Sequence, residues 1–301
     1  MQKEQISSWF KVLQGNICTQ LELLDGKISF GADIWERPEG GGGCSRVASA
    51  GNLLEKGGVM FSAVHGELSE QITRHLGANE QHQFYATGVS IVLHPANPHA
   101  PIIHMNVRYF EMSNGQWWFG GGIDLTPHYV DGQQARDFHL CLKNVCDRHS
   151  PDYYPKFKKW ADDYFYLKHR NETRGIGGIF FDRLTGSDEH DRKRHFEFVQ
   201  DVGSAFVAAY TQASQGRQDK PFTEREKKWQ LLRRSRYVEF NLLYDQGTKF
   251  GLDSGGRIES ILVSMPPLAA WAYQYVPEAN SPEEATIAAL CKGIDWVSWE
   301  G

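Results

Sequence analysis

Apolar residues recur every three or four positions at Ile6, Phe10, Leu13, Ile17, Leu21 and Leu24, the spacing of one helical face. This predicts an opening amphipathic helix that stops near Asp25-Gly26. The pattern then turns to strands, expected over 27–35, 45–50, 59–65, 85–93, 102–112 and 116–123, with the glycine run Gly40–Gly43 read as a loop. Short connectors join the last three. Parallel neighbours would need crossovers of about a dozen residues or more, so an antiparallel meander is expected. Helical spacing returns over 131–149 and 155–170, an apolar strand follows over 176–181, and helices are expected over 188–213 and 223–235 before a final strand over 237–244. No repeat, low-complexity tract or long linker divides the chain, so residues 1–301 read as one α+β domain around an antiparallel sheet.

Composition narrows the function more by exclusion than by suggestion. With 41% hydrophobic and 13% aromatic residues the chain can bury a large core. A formal net charge of −5 gives no global field for nucleic acid or an anionic membrane, so any anion site must be local. No segment approaches eighteen consecutive apolar residues, and the N-terminus lacks an apolar stretch before a cleavage site, so a cytoplasmic protein is expected. The five cysteines are scattered with no C-x-x-C pair, which argues against a disulfide scaffold, a zinc ribbon or an iron–sulfur cluster.

The chemistry concentrates on three successive strands. Residues two apart on a strand share a face. Ser90, Val92 and His94 therefore point one way, as do His104, Asn106 and Arg108, while Val89, Ile91, Leu93, Ile103, Met105, Val107 and Tyr109 line the opposite faces. A polar face of this kind is either a solvated exterior or the floor of a site. Two histidines, an amide and an arginine are an unusual set for a merely solvated face, which more typically carries Lys, Glu and Thr. The third strand ends in Gly120-Gly-Gly-Ile-Asp124, where parity puts Gly120, Gly122 and Asp124 on one face. A flat ligand could lie over these glycines with Asp124 at its edge; equally, the glycines could mark a bend and Asp124 a turn cap.

Other motifs fail in context. Gly175-Ile-Gly-Gly178 follows a helical pattern and precedes a strand, the reverse of a dinucleotide fingerprint, and no phosphate-loop lysine motif occurs. The Lys/Arg-rich stretch 225–236 carries Glu224 and Glu226 beside it and has helical spacing, which reads as a solvated helix face. His139 and His169 fall on expected helices without a short metal signature.

Seven blocks in order resemble the oxygen-dependent coproporphyrinogen III oxidase family. They begin with Trp35-Glu-Arg-Pro-Glu-Gly-Gly-Gly-Gly-Cys-Ser-Arg46, His94-Pro-Ala-Asn-Pro-His-Ala-Pro101 and His104-Met-Asn-Val-Arg-Tyr-Phe-Glu111, followed by Trp117-Trp-Phe-Gly-Gly-Gly-Ile-Asp-Leu-Thr-Pro127. The rest are the runs 164–182, 236–245 and 255–267. The resemblance implies a large antiparallel sheet with helices on both faces, a homodimer and a deep cleft on one sheet face. It implies that Ser90, Asn106, Val107, Arg108, Gly255, Gly256 and Arg257 bind coproporphyrinogen III, with His104 as proton donor and Asp124 engaging pyrrole nitrogens. It further implies His94, His104, His139 and His169 as ligands of a divalent cation, manganese by expectation, although His128 and His149 lie near the third of these in sequence.

The implied reaction needs no organic cofactor. It consumes O2 and converts two propionates to vinyl groups, giving protoporphyrinogen IX for heme biosynthesis, because a reduced tetrapyrrole is electron-rich enough to meet oxygen itself. A non-catalytic tetrapyrrole carrier or a metal-dependent hydrolase would use some of the same residues. The carrier would need neither His104 nor Asp124.

Overall fold

The computed structural model describes residues 2–68, 82–253 and 256–300. Helix α1 (Lys3–Asp25) ends where Gly26 takes the left-handed conformation at φ 73, which glycine adopts without a Cβ penalty. Six strands follow: β1 (Gly31–Glu36), β2 (Gly41–Ser49), β3 (Leu54–Glu67), β4 (Gln83–Pro95), β5 (Ile102–Met112) and β6 (Trp117–Thr126). Next come α2 (Gly132–Asp147), α3 (Tyr153–Tyr164), the two-residue strands β7 (Tyr166–Leu167) and β8 (Glu172–Thr173), and β9 (Gly177–Leu184). The rest is α4 (Glu189–Ser214), α5 (Glu224–Leu243), α6 (Gln246–Asp253), α7 (Ile258–Leu262) and α8 (Pro282–Ala289).

Among the described residues the main sheet has seven strands in the order β1-β2-β3-β4-β5-β6-β9, with every pairing antiparallel. The expected meander is present, and so is the α+β class with helices on both faces. One face packs Val89, Ile91, Leu93, Ile103, Met105, Val107 and Phe119 against Ile6, Phe10 and Leu13 of α1 and Phe198, Val202 and Phe206 of α4. Burying each such side chain contributes roughly 1.5–3 kcal/mol. Over the other face lie part of α5, which seats Tyr237 against Val92 and Ile102, and α7, whose Ser260 meets Ser45 at 2.8 Å.

Three expectations fail, each for a local reason. Gly41–Gly43 belong to β2 rather than a loop, because the Trp35 ring lies across Gly43, where a Cβ would come within 2.5 Å of it. The helix expected over 155–170 ends at Tyr164, after which Tyr166 and Leu167 pair with Thr173 and Glu172. The strand expected over 237–244 is the second half of α5. Its apparent alternation hid a helical stripe, Trp229, Arg233, Tyr237 and Phe240, all buried.

Candidate active site

Strand register gathers the polar side chains. Ser45 of β2 is opposite Met60, Met60 opposite Ser90, Ser90 opposite Asn106 and Asn106 opposite Gly122, so these five cross the sheet as one row. The neighbouring rows set Val92, His104 and Asp124 in line, and Gly88, Arg108 and Gly120. Directly opposed residues share a face, and it is the face away from the main core. Ser90, His104, Asn106 and Arg108 are half-buried there, whereas Val107 points into the core and offers only its backbone.

His104 and Asp124 form a dyad. Nδ1 of His104 lies 2.8 Å from Oδ1 of Asp124. A carboxylate accepts, so Nδ1 carries the proton and Nε2 is left as a basic nitrogen. Behind the dyad sits Arg174, whose Nη2 donates to Oδ1 and Oδ2 of Asp124 at 2.9 and 2.8 Å. Arg174 also donates to Oδ1 of Asn241 at 2.8 Å and lies 4.5, 4.5 and 4.7 Å from the ring centres of Phe165, Tyr237 and Phe240. Burial pushes the Asp124 carboxyl up, but the Arg174 charge and the His104 hydrogen bond outweigh it and hold the group below its ordinary value. Asp124 is therefore an ionised, fully engaged carboxylate. Its neighbours leave it 1% exposed. His104, whose side chain is 19% exposed, is the part of the dyad that faces outward.

The glycine floor is also occupied. A Cβ at Gly120 would meet Asp182 and Arg108, and one at Gly122 would lie 3.2 Å from the Phe180 ring. These glycines make room for the protein's own side chains. Arg108 donates to Asn106 Oδ1 and Asp182 Oδ1, both at 2.8 Å. Farther along the same face Arg257 donates to Asp33 Oδ2 at 2.5 Å and reaches Ser45 Oγ at 3.5 Å. Ser45 and Asn106 are three strands apart, roughly 14 Å, so the two arginines bracket the row between them. The backbone N–H of Gly256 donates to Gly251 O at 2.8 Å, and Gly255 lies outside the described residues.

The four histidines expected to share a metal are each engaged separately. His94 is fully buried, and its Nε2 donates to the Ser264 carbonyl at 2.8 Å. His139 donates from Nε2 to the Ile176 carbonyl at 3.0 Å, and its Nδ1 accepts from the Tyr154 hydroxyl at 2.9 Å. His169 sits in the β7–β8 turn, where Nε2 donates to Glu239 and Nδ1 meets the Tyr244 hydroxyl, both at 2.8 Å. His139 and His169 thus keep no free lone pair to give a cation. Among the described residues no group of three or more His, Cys, Asp and Glu side chains is placed to hold one. The residues present do not fit a shared metal. Nor do the neighbouring histidines complete the set: His128 Nδ1 bonds the Pro98 and Ala100 carbonyls, and His149 Nε2 bonds Asp201.

Sequence reading missed Arg174, Asn241, Asp33 and Asp182. The one available signal was Arg174 itself, a charge standing immediately before the apolar run that becomes β9.

Residues 5–296 match the family model described as coproporphyrinogen III oxidase. The human mitochondrial oxygen-dependent coproporphyrinogen-III oxidase is 50% identical over 297 residues, covering 94% of this chain and 65% of the human protein. The chain therefore spans a little under two thirds of that relative's length. Among the described residues no helix is long and apolar enough to cross a membrane.

Proposed function

The chain belongs to the coproporphyrinogen III oxidase family, and from that premise we propose that it decarboxylates two propionates of coproporphyrinogen III at the expense of O2. The observation that carries the reading is the exposed Nε2 edge of His104, backed by Asp124 and Arg174, on the same face as two arginines suited to carboxylates. For each side chain the balance is propionate plus O2 giving vinyl, CO2 and H2O2. A C–H bond at the propionate Cβ breaks and its electron pair goes to oxygen, the Cα–carboxyl bond breaks and its pair forms the vinyl double bond, and oxygen takes up the Cβ proton and the carboxyl proton as H2O2.

In this scheme the chain positions and moves protons. Arg108 and Arg257 hold substrate carboxylates through charge-assisted contacts worth roughly 1.5–3 kcal/mol each. Ser90 and Asn106 offer hydrogen bonds across the row between them. His104 exchanges a proton at Nε2 with the substrate or the departing peroxide, while Asp124 fixes the ring's tautomer and stabilises its charged form. No step is routed through a metal ion.

The exposed apolar side chains of Leu268, Trp271, Tyr273 and Val276 suit burial against a second copy, and a homodimer is part of the proposal. Five unpaired cysteines fit a reducing compartment, for which we propose the cytoplasm; the mitochondrial description belongs to the human relative.

Purified protein incubated anaerobically with coproporphyrinogen III, then exposed to air, tests the activity. Oxygen-dependent appearance of the divinyl product is expected. Stoichiometric binding with no product would instead favour the tetrapyrrole carrier.

A further inference from the structure

β9 breaks register opposite Gly120: Phe119 pairs with Leu184 and Gly121 with Phe181, so Asp182 and Arg183 together oppose one residue of β6. This is a β-bulge, which bends a strand and re-aims its side chains. Arg183 adopts φ 51, a left-handed value uncommon for a residue with a side chain, and sets its guanidinium 5.1 Å from the Trp118 ring centre. Asp182 shares the site face with Phe180 by strand alternation, and its Oδ1 lies 2.8 Å from Nη2 of Arg108, the bulge taking up Arg183 just beyond it. Opposite stands Gly120, where a Cβ would lie 2.4 Å from that Oδ1 and 2.8 Å from that Nη2. Strand alternation and the missing Cβ at Gly120 thus set up a single ion pair at the edge of the bulge.

We propose that Asp182 is a specificity-determining residue: a built-in carboxylate that occupies Arg108 until a carboxylate of the substrate displaces it. This rests on the reading of this face as a tetrapyrrole-carboxylate site. The pair is made to be broken, since its side chains are 37% and 30% exposed, and an ion pair that wet is worth little more than a few-fold in affinity. Every ligand carboxylate must compete with Asp182. Only one supported by further contacts, such as those at Arg257, gains Arg108 at small net cost. When the carboxylate leaves as CO2, Asp182 closes on Arg108 again and opposes rebinding. The Arg257–Asp33 pair repeats the arrangement at the other end of the row.

The test uses coproporphyrin III, the oxidised and unreactive tetracarboxylate, titrated into the protein of residues 1–301 and followed by fluorescence. Asp182→Asn and Asp182→Ala are expected to bind about three- to fivefold more tightly than the wild type at low salt. The gain should shrink at high salt and disappear in an Arg108→Ala background. A purely structural role for Asp182 would weaken binding instead. Wild-type binding with no tightening in either variant overturns the inference while leaving the site reading intact. Failure of the wild type to bind the porphyrin overturns both.

Discussion

Arg174 and Asp124 form an ion pair with both side chains almost wholly out of water, at 2.8 Å and with 2% and 1% exposure. Removing one partner of such a pair leaves the other buried and uncompensated, at a cost of about 3–5 kcal/mol. Arg174→Met should therefore lower stability by that amount in urea unfolding. Asp124→Asn keeps the shape but deprives His104 of its orienting acceptor. Its kcat should fall roughly 100-fold or more, while coproporphyrin binding changes little because Asp124 is not exposed to ligand. A large loss of binding with normal kcat would return Asp124 to the substrate surface.

Arg108 is expected to act in the opposite sense. Its loss should raise the dissociation constant for coproporphyrin by about 10- to 150-fold, the equivalent of one charge-assisted contact. Arg108→Lys should recover part of this, because an ammonium keeps the charge but not the two-pronged geometry. Titration of both variants against the wild type checks it, and unchanged affinity would remove Arg108 from the site.

Away from the site, Asp25 ties the end of α1 to the β2–β3 turn. Its Oδ1 accepts from the backbone N–H groups of Lys27, Ile28 and Asn52, and its Oδ2 from those of Leu53 and Leu54. Burial raises the carboxyl, but these amides together outweigh it and hold the group below its ordinary value. A depressed folded value means that the unfolded chain takes up the proton first. The stabilisation is thus complete above about pH 4 and is lost as pH falls through the folded value. Asp25→Ala should cost roughly 3–5 kcal/mol by orphaning several buried donors, and Asp25→Asn should flatten the acid limb of a stability-versus-pH curve.

Where the sequence was legible, the signal was local. Parity along β5 separates His104, Asn106 and Arg108 from Ile103, Met105 and Val107, and the expected strand 102–112 matches the observed one. Where it was not legible, the deciding contact was distant. Arg174 meets Asp124 across 50 residues and Asp182 meets Arg108 across 74, separations at which neither periodicity nor spacing carries information. The 237–244 segment failed for another reason. Valine, phenylalanine and tyrosine alternating with polar residues satisfy a period of two, and only continuity with the capped helix from Thr223 shows that the helical period prevails.

His139 shows how far a single imidazole can be committed to structure. It is fully buried, donating to the Ile176 carbonyl and accepting from Tyr154, and burial drives its pKa down to about 4. Burial does the same to His94, lowering it to about 3. Both rings are neutral when folded, whereas the unfolded chain protonates them below about pH 6.5. Proton uptake then favours unfolding, so stability is fully present above that pH and declines as pH falls toward the folded values. For His139 the decline amounts to roughly 3 kcal/mol. His139→Ala should remove this acid sensitivity while lowering stability at neutral pH, because the Ile176 carbonyl and Tyr154 hydroxyl lose their partner. Manganese titration of the same variant separates this role from metal binding. The structural role predicts the same cation affinity in wild type and variant, and a large loss of affinity confined to His139→Ala would show that the ring exchanges its hydrogen bonds for a metal.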